Sequence, residues 1–452
     1  MLKITTLFVC LFVLIGIFFV LGYAKSSQPN ILLITIDDLR MDHMSCYGYR
    51  RLTTPSIDDF AQSATVFTQA ISHSSHTPIS MGAYATGLYY ARHRLRTWGG
   101  SLNSSVSTIA EILKKGGFET TFIADNIHFR KNVQGFDRGF DNFLCDEDIT
   151  YRNLIPTAVD YLTKSKHKKF FLWLHYMGIH NISIPDESYI AAFIDDGLYK
   201  SDDRLTIVSP QERNDRYGYK CISQQIVDGE INNPHYYIAK YDAAIKYMDQ
   251  QLRILFETLE GLNLSEKTVI VITSDHGELL GEHDYYFHHG VFLYEPLIRV
   301  PFILKNARIS DGKRRSEQVE ASVDILPTIL DIVGIEVDID FDGESLLAEN
   351  GSDTENNGRY AIIDEGSSVG VRTETWKLIK GIDKEYQLFN LRIDSGETIN
   401  VVEEEKEIFE VLSRELNEYL RLREIYDEED DHRQSSIRPE DRKKLESLGY
   451  IL

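Results

Sequence analysis

Two short stretches of the chain carry the residue types of a divalent-metal site. Ile31-Leu-Leu-Ile-Thr-Ile36 runs straight into Asp37-Asp38, and Thr268-Val-Ile-Val-Ile-Thr-Ser274 runs into Asp275-His276-Gly-Glu278. Each apolar, β-branched run predicts a strand buried on both faces, with its acid or imidazole groups delivered at the carboxyl end. Open α/β sheets bind ligands at that edge. Either stretch alone reads as a polar turn. Together they form a mixed carboxylate and imidazole set that admits Ca2+, Mg2+, Mn2+ or Zn2+, with Ca2+ or Mn2+ favoured.

The elements that must hold these residues follow from periodicity. Thr54-Pro-Ser-Ile-Asp-Asp-Phe-Ala reads as a helix start. Ser72 to Ser80 reads as a polar loop leading into the small-residue run Met81 to Gly87. Ser107 to Gly117 reads as an amphipathic helix ending on Gly-Gly. Glu119 to Ala124 and Lys169 to His175 read as further strands, and Tyr236 to Leu262 as a long helix. Asp186 to Pro234 has weak periodicity and many turn residues, which suggests an excursion over the ligand edge. Strands alternating with helices predict an α/β fold with a mainly parallel sheet between helices. Beyond Glu355, four short alternating runs from Tyr360 to Asn390 and a charged helix from Glu403 to Ile425 predict a small antiparallel sheet packed by a helix. The expected organisation is an N-terminal segment and linker (1–29), a catalytic α/β domain (30–355) and a C-terminal α+β subdomain with tail (356–452).

At 452 residues and a formal charge of −22, the chain can bury a large core but does not suit a nucleic-acid partner. Ile4 to Ala24 is uncharged and nearly all apolar. That length can span a bilayer, while Gly22-Tyr-Ala24 resembles a signal-peptide cleavage site. The catalytic part is expected outside the cell, held at the membrane if the segment stays or secreted if it is cut. Four cysteines, one of them within the apolar segment, are no disulfide framework.

Asn30-Ile-Leu-Leu-Ile-Thr-Ile-Asp-Asp-Leu-Arg-Met-Asp42, Thr54-Pro-Ser-Ile-Asp-Asp, Ala85-Thr-Gly-Leu-Tyr89 and Thr273-Ser-Asp-His-Gly-Glu-Leu-Leu-Gly-Glu-His283 resemble the sulfatase branch of the alkaline phosphatase superfamily. So do Gly135-Phe-Asp-Arg-Gly-Phe-Asp141, Val323-Asp-Ile-Leu-Pro-Thr328 and the terminal Leu445-Glu-Ser-Leu-Gly-Tyr450. The resemblance covers nearly everything after residue 29 and implies the sulfatase-like α/β fold, with Asp37, Asp38, Asp275 and His276 as metal ligands. The family carries Cys-x-Pro-x-Arg, whose cysteine becomes formylglycine, ten positions before the glycine of a Thr-Gly pair. Counting back from Gly87 lands on Thr77; aligning on Pro78 instead puts His76 there and Ser80 at the arginine. Neither register supplies the cysteine or the arginine. A Thr77 hydroxyl touching the cation can still attack phosphorus, as the superfamily's phosphodiesterases and phosphoglycerol transferases do.

The resemblance also implies active-site roles for His128, with Asn126 where the family has lysine, for His180, and for His288 at a second lysine position. Such imidazoles hydrogen-bond ester oxygens and protonate leaving groups. Glu278, His283, His73 and His76 are candidate supports. The expected function is a metal-dependent hydrolase or transferase acting on a sulfate or phosphate ester of a small molecule, glycan or lipid headgroup, with Thr77 favouring phosphodiester chemistry. Two alternatives remain. One is a true sulfuric ester hydrolase working without formylglycine; the other is an inactive protein binding an anionic glycan or lipid headgroup.

Overall fold

The apolar run that precedes Asp37 forms β1 (Asn30–Ile36), the fifth of eight strands in one sheet. The computed structural model describes residues 28–194, 204–208, 218–223, 226–306, 312–347 and 359–434. The other strands are β2 (Thr65–Ile71), β3 (Glu119–Ala124), β4 (Asn142–Leu144), β5 (Phe170–Tyr176), β6 (Thr268–Ser274), β7 (Arg299–Lys305) and β8 (Arg314–Glu320), in the spatial order β8-β2-β7-β6-β1-β5-β3-β4. All pairings are parallel except those of β7, which runs antiparallel to both β2 and β6. The chain enters β1 at the amino edge. The candidate ligands sit at the carboxyl edge.

Side-chain alternation divides each central strand between two cores. Leu32, Ile34, Ile36, Leu172, Leu174, Ile270 and Ile272 pack on one face, against α1 (Pro55–Ala61), α4 (Leu154–Ser165) and α5 (Pro234–Gly261). Ile31, Leu33, Phe171, Trp173, Val269 and Val271 pack on the other, against α2 (Thr77–Thr86), α3 (Ile109–Lys115) and α6 (Ala321–Val333). Period-2 strands covered on both faces explain the unbroken apolar runs in the sequence.

The polar loop expected from Ser72 to Ser80 ends sooner than its composition suggests, because α2 begins at Thr77 with Pro78 in its first turn. All ten residues of α2 are buried. Its small residues permit that: a Cβ on Gly82 would lie 2.5 Å from the His93 ring. Gly87 ends the helix at φ 67°, a left-handed conformation natural to glycine.

Part of the Asp186 to Pro234 excursion is described. It contains a helical turn, Ser188–Ala191, and a parallel strand pair, Thr206–Val208 with Cys221–Ser223. The apolar segment Ile4 to Ala24 lies outside the described residues. Among those described, no helix is long and apolar enough to cross a membrane. Cys46 and Cys145 are free thiols.

The C-terminal sheet is an antiparallel meander of β9 (Ala361–Asp364), β10 (Val369–Arg372), β11 (Trp376–Lys380) and β12 (Tyr386–Asn390), covered by α7 (Lys406–Gln434). Leu412, Leu416 and Tyr419 of α7 pack on Val371, Leu378 and Leu388. A buried ion network joins this unit to the main body: Lys377 Nζ lies 3.0 Å from Glu295 and 2.5 Å from Glu397, and Arg372 lies 2.8 Å from Glu295. Removing Lys377 leaves Glu397 in the interior without a countercharge and Glu295 with Arg372 alone. Lys377→Met is therefore expected to destabilise the chain by roughly 3–5 kcal/mol, read from urea denaturation.

Glu320, at the end of β8, accepts a hydrogen bond from the Tyr89 hydroxyl at 2.7 Å. Burial, opposed by the Arg359 guanidinium and aided by Asp324, pushes its carboxyl up to about 8, against 4.5 for an ordinary glutamate. Between those values the folded chain holds a proton that the unfolded chain has lost. This group's contribution to stability thus falls as pH rises from about 4.5 to about 8. Glu320→Gln should melt progressively higher relative to the native chain across that window.

Candidate active site

β1 lies between β5 and β6, with Thr35 level with His175 on one side and Thr273 on the other. Parallel strands in that register bring Asp37, Asp38, His175 and Asp275 to the same edge. Asp38 adopts a left-handed backbone at φ 62°, tolerable for aspartate, and this breaks the alternation that would otherwise point it away from Asp37. His276 follows Asp275 and is fully buried. Its Nε2 lies 3.7 Å from Asp37 Oδ1 and 3.6 Å from Asp275 Oδ2, while its Nδ1 lies 3.0 Å from Asp38 Oδ1.

Both oxygens of Asp37, both of Asp38, and Oδ2 of Asp275 are buried without a hydrogen-bond partner, although these residues are at most 1 % exposed. Buried carboxylates in that state are costly unless a positive charge faces them. Burial opposes every charge here, yet Asp38, Asp275 and Asp37 raise the His276 imidazole well above its ordinary value. Burial and Asp37 push Asp275 up to about 6. The cluster thus needs cationic charge, and a metal ion would displace the protons that otherwise supply it. The residues fit a divalent ion.

Tautomers follow from the surroundings. His276 Nδ1 lies 3.0 Å from the Gly277 carbonyl, which only accepts, so Nδ1 carries the proton and Nε2 keeps a lone pair for the cluster. Trp173 Nε1 donates to Thr35 Oγ1, whose proton goes to the Leu174 carbonyl, leaving that oxygen to accept from His175 Nδ1. His175 Nε2 then faces Asp37 Oδ2 at 3.6 Å.

Thr77 Oγ1 lies 3.1 Å from His276 Nε2. It occupies the first position of α2, whose positive end favours charge on that oxygen. The preceding segment is braced by the C-terminal sheet. His73 Nδ1 donates to the Ile362 carbonyl, its Nε2 accepts from Tyr90, and Asp364 N donates to the His73 carbonyl. His73 is therefore structural. His76 faces Gly290, with a Cβ there 3.6 Å from its ring, and burial pushes it down to about 3.

His180 Nε2 comes within 4.0 Å of Asp38 Oδ2. His128 is exposed on the rim, its ring stacked on Trp98 at 5.3 Å. His288 is not brought to the carboxylates: its ring neighbours those of Tyr285 and Phe292, at 5.7 and 6.0 Å. The next residue, His289, turns inward instead, its Nδ1 3.3 Å from Asp38 Oδ1 and 3.1 Å from Glu278 Oε2. His283 stacks on Tyr294 at 3.8 Å.

The family model described as sulfatase matches residues 29–335, and a second, for the C-terminal part of N-sulphoglucosamine sulphohydrolase, matches residues 281–424. The chain belongs to the sulfatase family. It is a sulfatase-like ester hydrolase with the alkaline phosphatase and sulfatase fold. It is 22 % identical to an N-acetylglucosamine-6-O-sulfatase of Bacteroides thetaiotaomicron, over 94 % of this chain and 91 % of that one. A solved structure of an enzyme in complex with its substrate D-glucosamine-2-N,6-O-disulfate superposes with a TM-score of 0.72 at 21 % identity, covering 88 % of this chain and 98 % of that one. The phosphonate monoester hydrolase of Agrobacterium radiobacter superposes with a TM-score of 0.71 at 19 % identity, covering 88 % and 96 %.

In this member of the sulfatase family, none of the four cysteines begins Cys-x-Pro-x-Arg. Three residues at the edge carry no assignment from the sequence alone. His175 is the last residue but one of a buried strand, as Asp37 and Asp275 follow theirs, and that shared design was the available signal. His289 was hidden by its neighbour. Asn126, 1 % exposed, bonds the His128 backbone through Oδ1 and leaves Nδ2 without a partner, a donor suited to a substrate oxygen. Its signal was its place where the family has lysine.

Proposed function

We propose that the chain is a metal-dependent phosphoesterase or phosphotransferase that favours diesters and uses Thr77 as nucleophile. The observation that carries this reading is the Thr77 hydroxyl, 3.1 Å from His276 Nε2 at the start of a buried helix and beside carboxylate oxygens that lack partners. Asp37, Asp38, Asp275, His276 and the Thr77 hydroxyl would hold the ion. A bound divalent cation, Ca2+ or Mn2+ in first place, supplies positive charge to the ester oxygens and acidifies the hydroxyl.

Thr77 Oγ1, its proton released to solvent, attacks phosphorus in line, and the bond to the leaving oxygen breaks. His180 or His128 protonates that oxygen as it departs. Asn126 Nδ2 donates to a non-bridging oxygen. Water, or an acceptor hydroxyl, then attacks the threonyl phosphoester and frees Thr77. Threonine has no second hydroxyl with which to expel sulfate as a hydrated formylglycine does. Asn126 and His288, at the two positions where the family places lysine, lower the fixed positive charge, which suits a monoanionic diester.

The second reading is a sulfuric ester hydrolase, favoured by the relatives that act on sulfated sugars. Under either reading the substrate is a small-molecule, glycan or lipid-headgroup ester. Residues 30–355 would carry the catalysis, with the C-terminal sheet bracing the segment before Thr77 through Ile362 and Asp364. Residues 4–24 would anchor or export the chain.

The test is turnover of matched nitrophenyl phosphate diester, phosphate monoester and sulfate with each candidate cation. Faster diester cleavage supports the proposal; a sulfate ester cleaved much faster than its phosphate counterpart favours the second reading. Tight binding without turnover would identify a binding protein.

A further inference from the structure

The loop that follows β3 is built more firmly than the reaction at Thr77 requires. Gln134, 1 % exposed, closes it onto the Trp98 loop: its Nε2 donates to the Trp98 carbonyl at 2.8 Å and to the His128 carbonyl at 2.7 Å, and its Oε1 accepts from Arg130 N at 2.8 Å. Leu102 N donates in turn to the Gln134 carbonyl at 2.8 Å. The clamp holds a set of rings at the rim. Half-buried Trp98 stacks on exposed His128 with centroids 5.3 Å apart and planes tilted by 30°. Phe129, 2 % exposed, makes T-shaped contacts with Trp98 at 5.0 Å and with His175 at 5.4 Å. Since His175 Nε2 faces Asp37, an unbroken run of rings leads from the carboxylates out to solvent.

Three further observations mark this rim as a binding surface. Ile127 and Val133, in the same loop, are 54 % and 39 % exposed, apolar side chains presented to water. Asn126 Oδ1 accepts from His128 N at 3.0 Å while its Nδ2 is buried without a partner, so one side chain joins the ring stack to a donor left over for an ester oxygen. The stretch that bears both Thr77 and Trp98 holds no acidic residue between Asp59 and Glu111, although the whole chain carries a formal charge of −22, and it includes Arg92, Arg94 and Arg96. An anionic ester is attracted there and not repelled.

We propose that Trp98 and His128 form a subsite for a sugar ring on the leaving alcohol, so that the substrate is a phosphodiester of a hexose. The inference rests on the reading of Thr77 as nucleophile toward a diester. The C–H bonds of one sugar face pack against the electron-rich face of an aromatic ring, while the hydroxyls stay within reach of water and donors at the rim. A planar base stacks best between parallel planes, which this tilted pair does not offer. An alkyl chain needs a closed apolar groove, which two separate aliphatic side chains do not make. Trp98 sets specificity and takes no part in bond making. Because Gln134 and Phe129 fix the platform before substrate arrives, little ordering is left to offset the contact.

The test uses the full-length chain loaded with Mn2+. Its substrates are the methyl phosphodiesters of glucose, galactose and mannose at O6, of n-butanol, and of adenosine at O5′, all primary alcohols of similar leaving ability, with methyl phosphate release followed by phosphorus NMR. At least one hexose diester is expected to exceed the butyl diester about tenfold or more in kcat/KM, the scale of one aromatic stacking contact. In Trp98→Ala that ratio should fall close to one, through KM and not kcat, while Trp98→Phe keeps most of it. Should the alanine variant fail to fold, Trp98→Leu fills the space without an aromatic face and should lose the ratio likewise. Hexose diesters no better than the butyl one, an adenosine diester better than every hexose, or a hexose preference that survives in Trp98→Leu overturns the subsite. So does turnover of methyl nitrophenyl phosphate without turnover of any of the five, an outcome that leaves the phosphodiester reading standing. No turnover of any diester overturns both.

Discussion

Thr77→Ala should lower diester turnover by roughly 10⁴-fold or more, the scale seen when a nucleophile is deleted and binding and electrostatic stabilisation are left behind. The loss should fall on kcat with little change in KM, because the ester is held by the cation and by donors such as Asn126 that the substitution does not touch. Thr77 is 4 % exposed, so the variant's melting temperature checks that the site survives. Thr77→Ser keeps the hydroxyl and should keep measurable turnover. A structural role for Thr77, holding the start of α2, would instead produce a parallel loss of stability and activity in both variants. The same pair of variants separates the two registers of the sequence: were His76 the reacting residue, Thr77→Ala would cost little.

Metal removal is the second large effect. Thorough chelation should abolish turnover, and adding back Mn2+ or Ca2+ should restore it. Asp275→Asn should need far more metal for the same rate. Stability should move in opposite directions with and without the ion. In its absence Asp275 is a buried carboxylate facing Asp37 and Asp38, so the neutral amide relieves repulsion and the variant should melt higher than the native chain. With saturating metal the order reverses, since the native chain gains about 2.7 kcal/mol at one hundred times its dissociation constant and the variant much less. Activity untouched by chelation would contradict the metal reading at once.

The metal edge was legible because two strands buried on both faces each ran into acids, a pattern with few other uses. The four C-terminal strands were legible from their alternation. Other elements gave no such signal. Every residue of α2 is buried, so it has no polar face for periodicity to reveal, and its proline start was the only mark. α6 continues past Pro327, where sequence alone argues for a break. β2 mixes Thr and Gln into its apolar run because it lies one strand in from the sheet's end and is only partly covered there. The exchange of His288 for His289 has a local cause. Phe287 takes φ 49° within the short strand Tyr286–His288, where the pairing to Leu279–Leu280 shifts register, and that shift reverses which neighbour faces the carboxylates.

The most direct test of the central claim is to trap the covalent intermediate. The metal-loaded chain would be mixed with a nitrophenyl phosphodiester, quenched in acid within the first turnovers, digested and mapped by mass. A phosphoester is expected on the peptide that contains Thr77, absent from Thr77→Ala and absent when a sulfate ester replaces the diester. An adduct on another residue, or diester turnover that persists in Thr77→Ala, would contradict it.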